Sequence, residues 1–171
     1  LVDEAKKEAR KMVESLTPYV AKGVPIVGLE PSCLFSLRDE FSVMAGVGDR
    51  LKSAQLFEEF LAQKPGKLKF KATQQQVLLH GHCHQKAFDV MPAVEEVLGM
   101  VPGLKVSTVQ TSCCGMAGSF GYEAEHYDVS MKMAEAALLP AVRAAPGAAI
   151  AAAGTSCRHQ IRDGAGRQAI H

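Results

Sequence analysis

Apolar positions along this chain follow two rhythms, one helical and one strand-like, and the rhythms alternate. Val2, Ala5, Ala9, Met12, Val13 and Leu16 recur at helical spacing among lysines and glutamates, which predicts an amphipathic helix over residues 2–21, closed by Gly23. A short apolar run at 24–29 predicts a strand, broken by Pro31-Ser32-Cys33, and a helical pattern resumes over 34–41. Residues 49–63 predict a further helix, with Leu51, Ala54, Phe57, Phe60 and Leu61 on one face. Pro65-Gly66 and the polar run 67–75 read as a linker. Beyond it come a strand at 76–79, a helix at about 85–98, a strand at 105–110, a long helix from Gly121 to about Ala144 and a strand at 148–153.

Strand, loop and helix in alternation imply an α/β fold: a parallel sheet with flanking helices. Every cysteine then follows the carboxyl end of a predicted strand. Cys33 follows the first, Cys83 the second, Cys113 and Cys114 the third, and Cys157 the fourth. Ligands of open α/β sheets gather at that end, so cysteines far apart in the chain are expected to converge.

The net charge of +1 gives no basic excess for nucleic acid, and no apolar run approaches the roughly 20 residues of a membrane span. Tryptophan is absent, which weakens any case for base stacking. Five cysteines are an odd number and fit a disulfide framework poorly; a cytoplasmic setting would keep them reduced. The chain begins at Leu1 without a methionine or a secretory signal, and we expect a fragment of a longer polypeptide.

The adjacent Cys113 and Cys114 are hard to explain as packing, because successive strand residues point to opposite faces. Gly115, Gly118 and Gly121 supply a bend that would turn both thiols toward one partner. Cys83, Cys113, Cys114 and Cys157 together suit zinc or an iron–sulfur cluster. Their spacing is unlike a zinc ribbon, and neighbouring thiolates bind several irons more easily than one tetrahedral ion, so the residues favour a cluster. Two other readings stay open: ordinary buried cysteines, and redox chemistry in a strained Cys113–Cys114 disulfide. His82 and His84 flank Cys83 as ligands, hydrogen-bond donors, proton carriers or simply a packed polar loop. Lys86 and Arg158 lie beside ligand cysteines and could offset negative charge. Arg38, His126 and His159 are weaker candidates, and Met116 and Met131 read as packing. The glycine-rich loop lacks both the Gly-Lys-Ser/Thr of a phosphate loop and the dinucleotide fingerprint.

A shift of 124 positions lays Gly23, Ile26, Ser32, Cys33, Arg38 and Asp39 on identical residues, six matches in seventeen positions. This suggests a tandem pseudo-repeat in which residues 1–64 are the end of a first copy and 65–171 a second. Cys33 would then belong to a site whose other half precedes Leu1.

His82-Cys83-His84-Gln85-Lys86, the run from Cys113 to Gly121, and Ser156 to Ile161 resemble the cysteine-rich CCG domain family. That family includes the iron–sulfur subunit of glycolate oxidase, the small subunit of anaerobic glycerol-3-phosphate dehydrogenase and a component of heterodisulfide reductase. The resemblance covers nearly the whole chain. It is strongest to the C-terminal region of proteins that join an FAD-linked oxidase module, a ferredoxin-like segment and two CCG repeats. It implies that Cys83, Cys113, Cys114 and Cys157 hold a [4Fe-4S] cluster, with His82, His84 and Lys86 around it. It also implies FAD elsewhere in the full-length enzyme or a partner, a small 2-hydroxy acid of glycolate or lactate type as substrate, and a quinone or other carrier as acceptor. The expected place is the cytoplasm, or the periphery of the inner membrane in a full complex. Gly154 and Glu30 stand where the family pattern has a further cysteine, which argues for four ligands rather than five. Some members hold zinc at such a site, and zinc remains the alternative metal.

Overall fold

The computed structural model describes residues 1–46, 48, 50–64 and 66–171. They form two compact units, Leu1–Gln63 and Lys64–His171. Asp49, the expected start of a helix, and Pro65 of the expected linker turn lie outside the described residues.

The first unit opens with α1 (Val2–Val20), then β1 (Val27–Gly28), α2 (Pro31–Arg38), α3 (Glu40–Met44), β2 (Gln55–Leu56) and α4 (Phe57–Ala62). Ala9 and Val13, one helical turn apart, are fully buried on α1 and form a core with Ala45 and Leu51. The helix expected over 49–63 is confined to α4. Gln55 and Leu56 instead pair with β1 in parallel, and Gln55 N–H donates to the Ile26 carbonyl at 2.8 Å. A strand edge that needs partners has overridden a helical pattern. Arg38 donates to both carboxylate oxygens of Glu59 at 3.0 Å, which ties α2 to α4.

The second unit runs β3 (Gln76–His80), α5 (Cys83–Ala87), α6 (Met91–Gly99), β4 (Lys105–Thr108), α7 (Tyr127–Glu135), α8 (Leu138–Ala144), β5 (Ala149–Ala152), α9 (Thr155–Ala165) and β6 (Ala169–Ile170). Two short 3-10 turns, Phe120–Tyr122 and Ala124–His126, precede α7. The sheet order is β4-β3-β5-β6 and every pairing is parallel. The α/β architecture expected from the sequence is therefore the observed one.

Two helices expected to be continuous are broken, and proline explains both. A proline ring clashes with the carbonyl four residues earlier. Pro92 acts on Phe88, where α5 has just ended and Asp89 takes φ +54° before α6 begins. Pro140 acts on Ala136, the residue that caps α7. The first break keeps α5 to a short helix that carries Cys83 at its first position.

The chain leaves β3 toward β4 on one side and returns to β5 on the other. The crevice at the carboxyl ends of β3 and β5 is thus a topological switch point. Beneath it, Leu138, Val142, Ile150, Ala152 and Ile161 pack with Met116, Cys114 and Cys157 in one core cluster. Truncating Leu138, which is wholly buried there, to alanine is expected to cost about 2 to 5 kcal/mol in chemical denaturation. A cost under about 0.5 kcal/mol would contradict this packing.

Candidate metal centre

Three loops reach the crevice. The first leaves β3 at His80, which is only 1% exposed. His82 then caps α5 reciprocally. Its Nδ1 accepts from His84 N–H at 3.1 Å, and its own N–H donates to Gln85 Oε1 at 2.9 Å. This fixes the turn that presents Cys83 at the surface.

The second loop follows β4. Lys86 reaches across from α5 and donates to the Thr111 carbonyl at 2.5 Å, the Thr111 hydroxyl at 3.0 Å and the Ser112 carbonyl at 3.4 Å. It thereby pins the backbone just before Cys113 and Cys114. Gly115 bends the chain next, at φ +93°, and a Cβ there would overlap the Ser130 carbonyl. Its N–H donates to Cys113 Sγ at 3.3 Å. Gln160 of α9 donates to the Ser130 carbonyl and hydroxyl at 3.2 and 3.0 Å, locking α7 and α9 around this bend.

The third loop follows β5 and enters α9, whose first turn carries Cys157. Arg158 donates to the Ala152 and Ala153 carbonyls at 2.9 and 2.5 Å and so closes the end of β5. Cys157 and Cys114 are 2% and 6% exposed, and their sulfurs are 3.5 Å apart.

The thiols act on one another. The Cys157 thiol proton, donated to Cys114, pulls the Cys114 thiol well below its ordinary range against the cost of burial; the His80 side chain and the Met116 N–H add to the effect. Cys157 is pushed up by the same bond, by burial and by the charges of Cys114, Cys83 and Cys113. Partial burial of the sulfur, then Cys113 and Cys114, raise Cys83, although the residue as a whole stays exposed. Burial lowers Lys86, while the negative charge of Cys157, Cys83, Cys113 and Cys114 opposes that shift. Cys83, Cys113, Cys114, Cys157 and Lys86 therefore share one electrostatic environment.

A ring nitrogen of His80 and the sulfurs of Cys114 and Cys157 lie within 4.8 Å of one another, which is ligand-cluster geometry. The sequence pattern did not single out His80. Its signal is a titratable residue at the end of an apolar strand, where a buried polar group needs a partner. Gly154, where the family pattern would place a fifth cysteine, has no room for one: a Cβ there would overlap the His82 ring and lie 3.2 Å from Cys157 Sγ. The structure brings Cys114 and Cys157 to ligand distance with His80, while Cys83 and Cys113 lie on the neighbouring loops outside that group; two thiols and an imidazole suit a thiophilic metal.

Other candidates are placed elsewhere. Cys33 is exposed in the first unit, beside an apolar hollow of about 680 Å³ lined by Met12, Leu34 and Phe41. His126 stacks on Phe120 at 4.1 Å and pairs with Glu123 at 2.9 Å, and His159 meets the Tyr122 hydroxyl at 2.7 Å. Arg38 is paired with Glu59, and Met116 is buried in the core.

The chain is 32% identical over 134 residues to a component of the anaerobic glycerol-3-phosphate dehydrogenase of Escherichia coli (strain K12), covering 75% of this chain and 34% of that protein. It is 28% identical over 158 residues to D-2-hydroxyglutarate dehydrogenase of the same organism, covering 91% of this chain and 16% of that protein. The Pseudomonas putida D-2-hydroxyglutarate dehydrogenase is 30% identical over 168 residues, covering 91% of this chain and 15% of that protein. The chain thus spans about a third of the glycerol-3-phosphate dehydrogenase relative and about a sixth of the D-2-hydroxyglutarate dehydrogenases. No protein-family model and no solved structure matches it. Among the described residues, no helix is long and apolar enough to cross a membrane.

Alkylation of the metal-free chain tests the placement of the thiols. Cys33 and Cys83 are expected to react first and Cys114 and Cys157 last, followed by peptide mass spectrometry. Cys157 reacting as fast as Cys33 would contradict the buried site.

Proposed function

We propose that Cys83, Cys113, Cys114 and Cys157 hold a [4Fe-4S] cluster, and that this chain is the electron-transfer module of an FAD-linked oxidoreductase. One observation supports the reading: the segments that carry Cys83, Cys113, Cys114 and Cys157 all follow the carboxyl ends of three neighbouring parallel strands, and the sulfurs of Cys114 and Cys157 are 3.5 Å apart there. Bound there, the cluster would supply one-electron transfer. The protein's own part is to hold four thiolates in register. Lys86 pins the loop before Cys113, the Gly115 bend directs an N–H at Cys113, and α9 brings Cys157 against Cys114. His82 caps the turn under Cys83, and His84 neighbours it, with ring centroids 5.2 Å apart.

In the full enzyme a flavin module would oxidise a small 2-hydroxy acid, and electrons would leave through this module to a quinone or other carrier. The names of the relatives, dehydrogenases of D-2-hydroxyglutarate and of glycerol 3-phosphate, support that class of partner reaction. The proposal includes a tandem repeat. Pro31 and Thr155, which begin α2 and α9, are 124 positions apart, and each helix has its cysteine at the third position. The strand that follows each helix pairs in parallel with the strand before it. Cys33 would serve a second site completed by residues outside this chain.

Serine variants test the ligand set. Cys83→Ser, Cys113→Ser, Cys114→Ser and Cys157→Ser are each expected to lose most visible absorption after anaerobic iron and sulfide loading. Cys33→Ser should keep it. A Cys113→Ser chain with the full spectrum would overturn the assignment, and a colourless chain holding one zinc would favour a structural metal.

A further inference from the structure

His80 is a buried imidazole that the four-cysteine reading does not use. Both of its ring nitrogens need partners, because an unpaired polar atom at 1% exposure is costly. Nδ1 has one, the Thr111 hydroxyl at 3.2 Å. Either tautomer of His80 could make that bond, and its neighbour favours one direction. The Lys86 ammonium has only donors, so the Thr111 hydroxyl accepts from it at 3.0 Å. The hydroxyl then has one proton to give, and His80 Nδ1 is the acceptor beside it. A bare Nδ1 leaves the ring proton of a neutral imidazole on Nε2. Nε2 is the nitrogen left for the sulfur, in a cluster where a His80 nitrogen, Cys114 Sγ and Cys157 Sγ lie within 4.8 Å.

We propose that Lys86, Thr111 and His80 form a directional hydrogen-bond chain that ends in an Nε2–H donated to Cys114 Sγ, which makes His80 a positioning residue that tunes the metal centre and not one of its ligands. The inference rests on the four-cysteine reading above, for two reasons. Four thiolates already complete the coordination that a cubane cluster or a tetrahedral ion takes from protein. A protonated Nε2 has no lone pair for a metal. What it does have is a proton for sulfur, and hydrogen bonds to ligand sulfur are among the terms that set a cluster's reduction potential. The donor draws electron density from Cys114 and stabilises the reduced, more negative state. Lys86, four residues past His82 on α5, would thus act on the centre through Thr111 as well as through space.

Two readouts on the full 171-residue chain test this, with Thr111→Val removing the hydroxyl and Thr111→Ser restoring it. The first is the tautomer of His80 in the metal-free chain, read from imidazole ¹⁵N shifts. Wild type should show the Nε2–H form. An Nδ1–H form would overturn the proposal, because the ring would then present a bare Nε2 as a ligand. The second is the midpoint potential of the iron-loaded chain, alongside its iron and sulfide content. Thr111→Val should keep that content and shift the reduction equilibrium by about tenfold toward the oxidised state, about 59 mV more negative for one electron. Thr111→Ser should return it. A fully loaded Thr111→Val chain with the wild-type potential would overturn the tuning role. Absence of iron and sulfide from wild type would instead count against the four-cysteine reading, while the tautomer would still decide the direction of the hydrogen-bond chain.

Discussion

Parallel pairing of β3 with both β4 and β5 is the constraint on which the site depends. It puts the carboxyl ends of three strands side by side, so that segments beginning at residues 81, 109 and 153 emerge at one edge. Cysteines 43 residues apart, Cys114 and Cys157, need no local motif to meet. The chain's direction reverses across β3, which opens a crevice there instead of closing it with a crossover. Each loop is then fixed by its own hydrogen bonds: the His82–Gln85 cap, the Lys86 clamp on Thr111, and Arg158 at the end of β5.

What results is a site under electrostatic tension. Cys114 and Cys157 are buried at 3.5 Å with a proton between them, and Cys83 feels its neighbours as charge. Cys83 and Cys157 are therefore pushed toward the protonated thiol while Cys114 is pulled toward the thiolate. A thiophilic cation would remove the repulsion and displace the protons, which is how metal sites couple to thiol ionisation. Cys114 and Cys157 also belong to the core formed by Leu138, Ile150 and Ile161, so the crevice and the stability of the second unit share atoms.

The parts of this arrangement that depend on strand ends were legible in the sequence. Short apolar runs ending at turn residues located β3, β4 and β5, and every cysteine does follow a strand. Long-range pairing was not legible. The helical spacing of Leu51, Ala54 and Phe57 gave no sign that Gln55 and Leu56 would complete a sheet with β1, and β6 is too short to announce itself. The breaks ahead of Pro92 and Pro140 agree with the proline rule, but that rule alone would not have located them, since Pro18 sits inside α1 without ending it. His80 escapes a reading centred on the residues that flank Cys83, whereas burial at the strand end picks out the one three positions earlier. Gly154 stood out in the sequence only as a departure from the pattern it resembles; the His82 ring packed against it, which a Cβ there would overlap, was not legible.

The most direct test of the account is iron and acid-labile sulfide determination on the chain purified without oxygen. About four irons and four sulfides per chain are expected for a cluster on these four thiols. One zinc with no sulfide, or no metal bound under reconstitution, would contradict it.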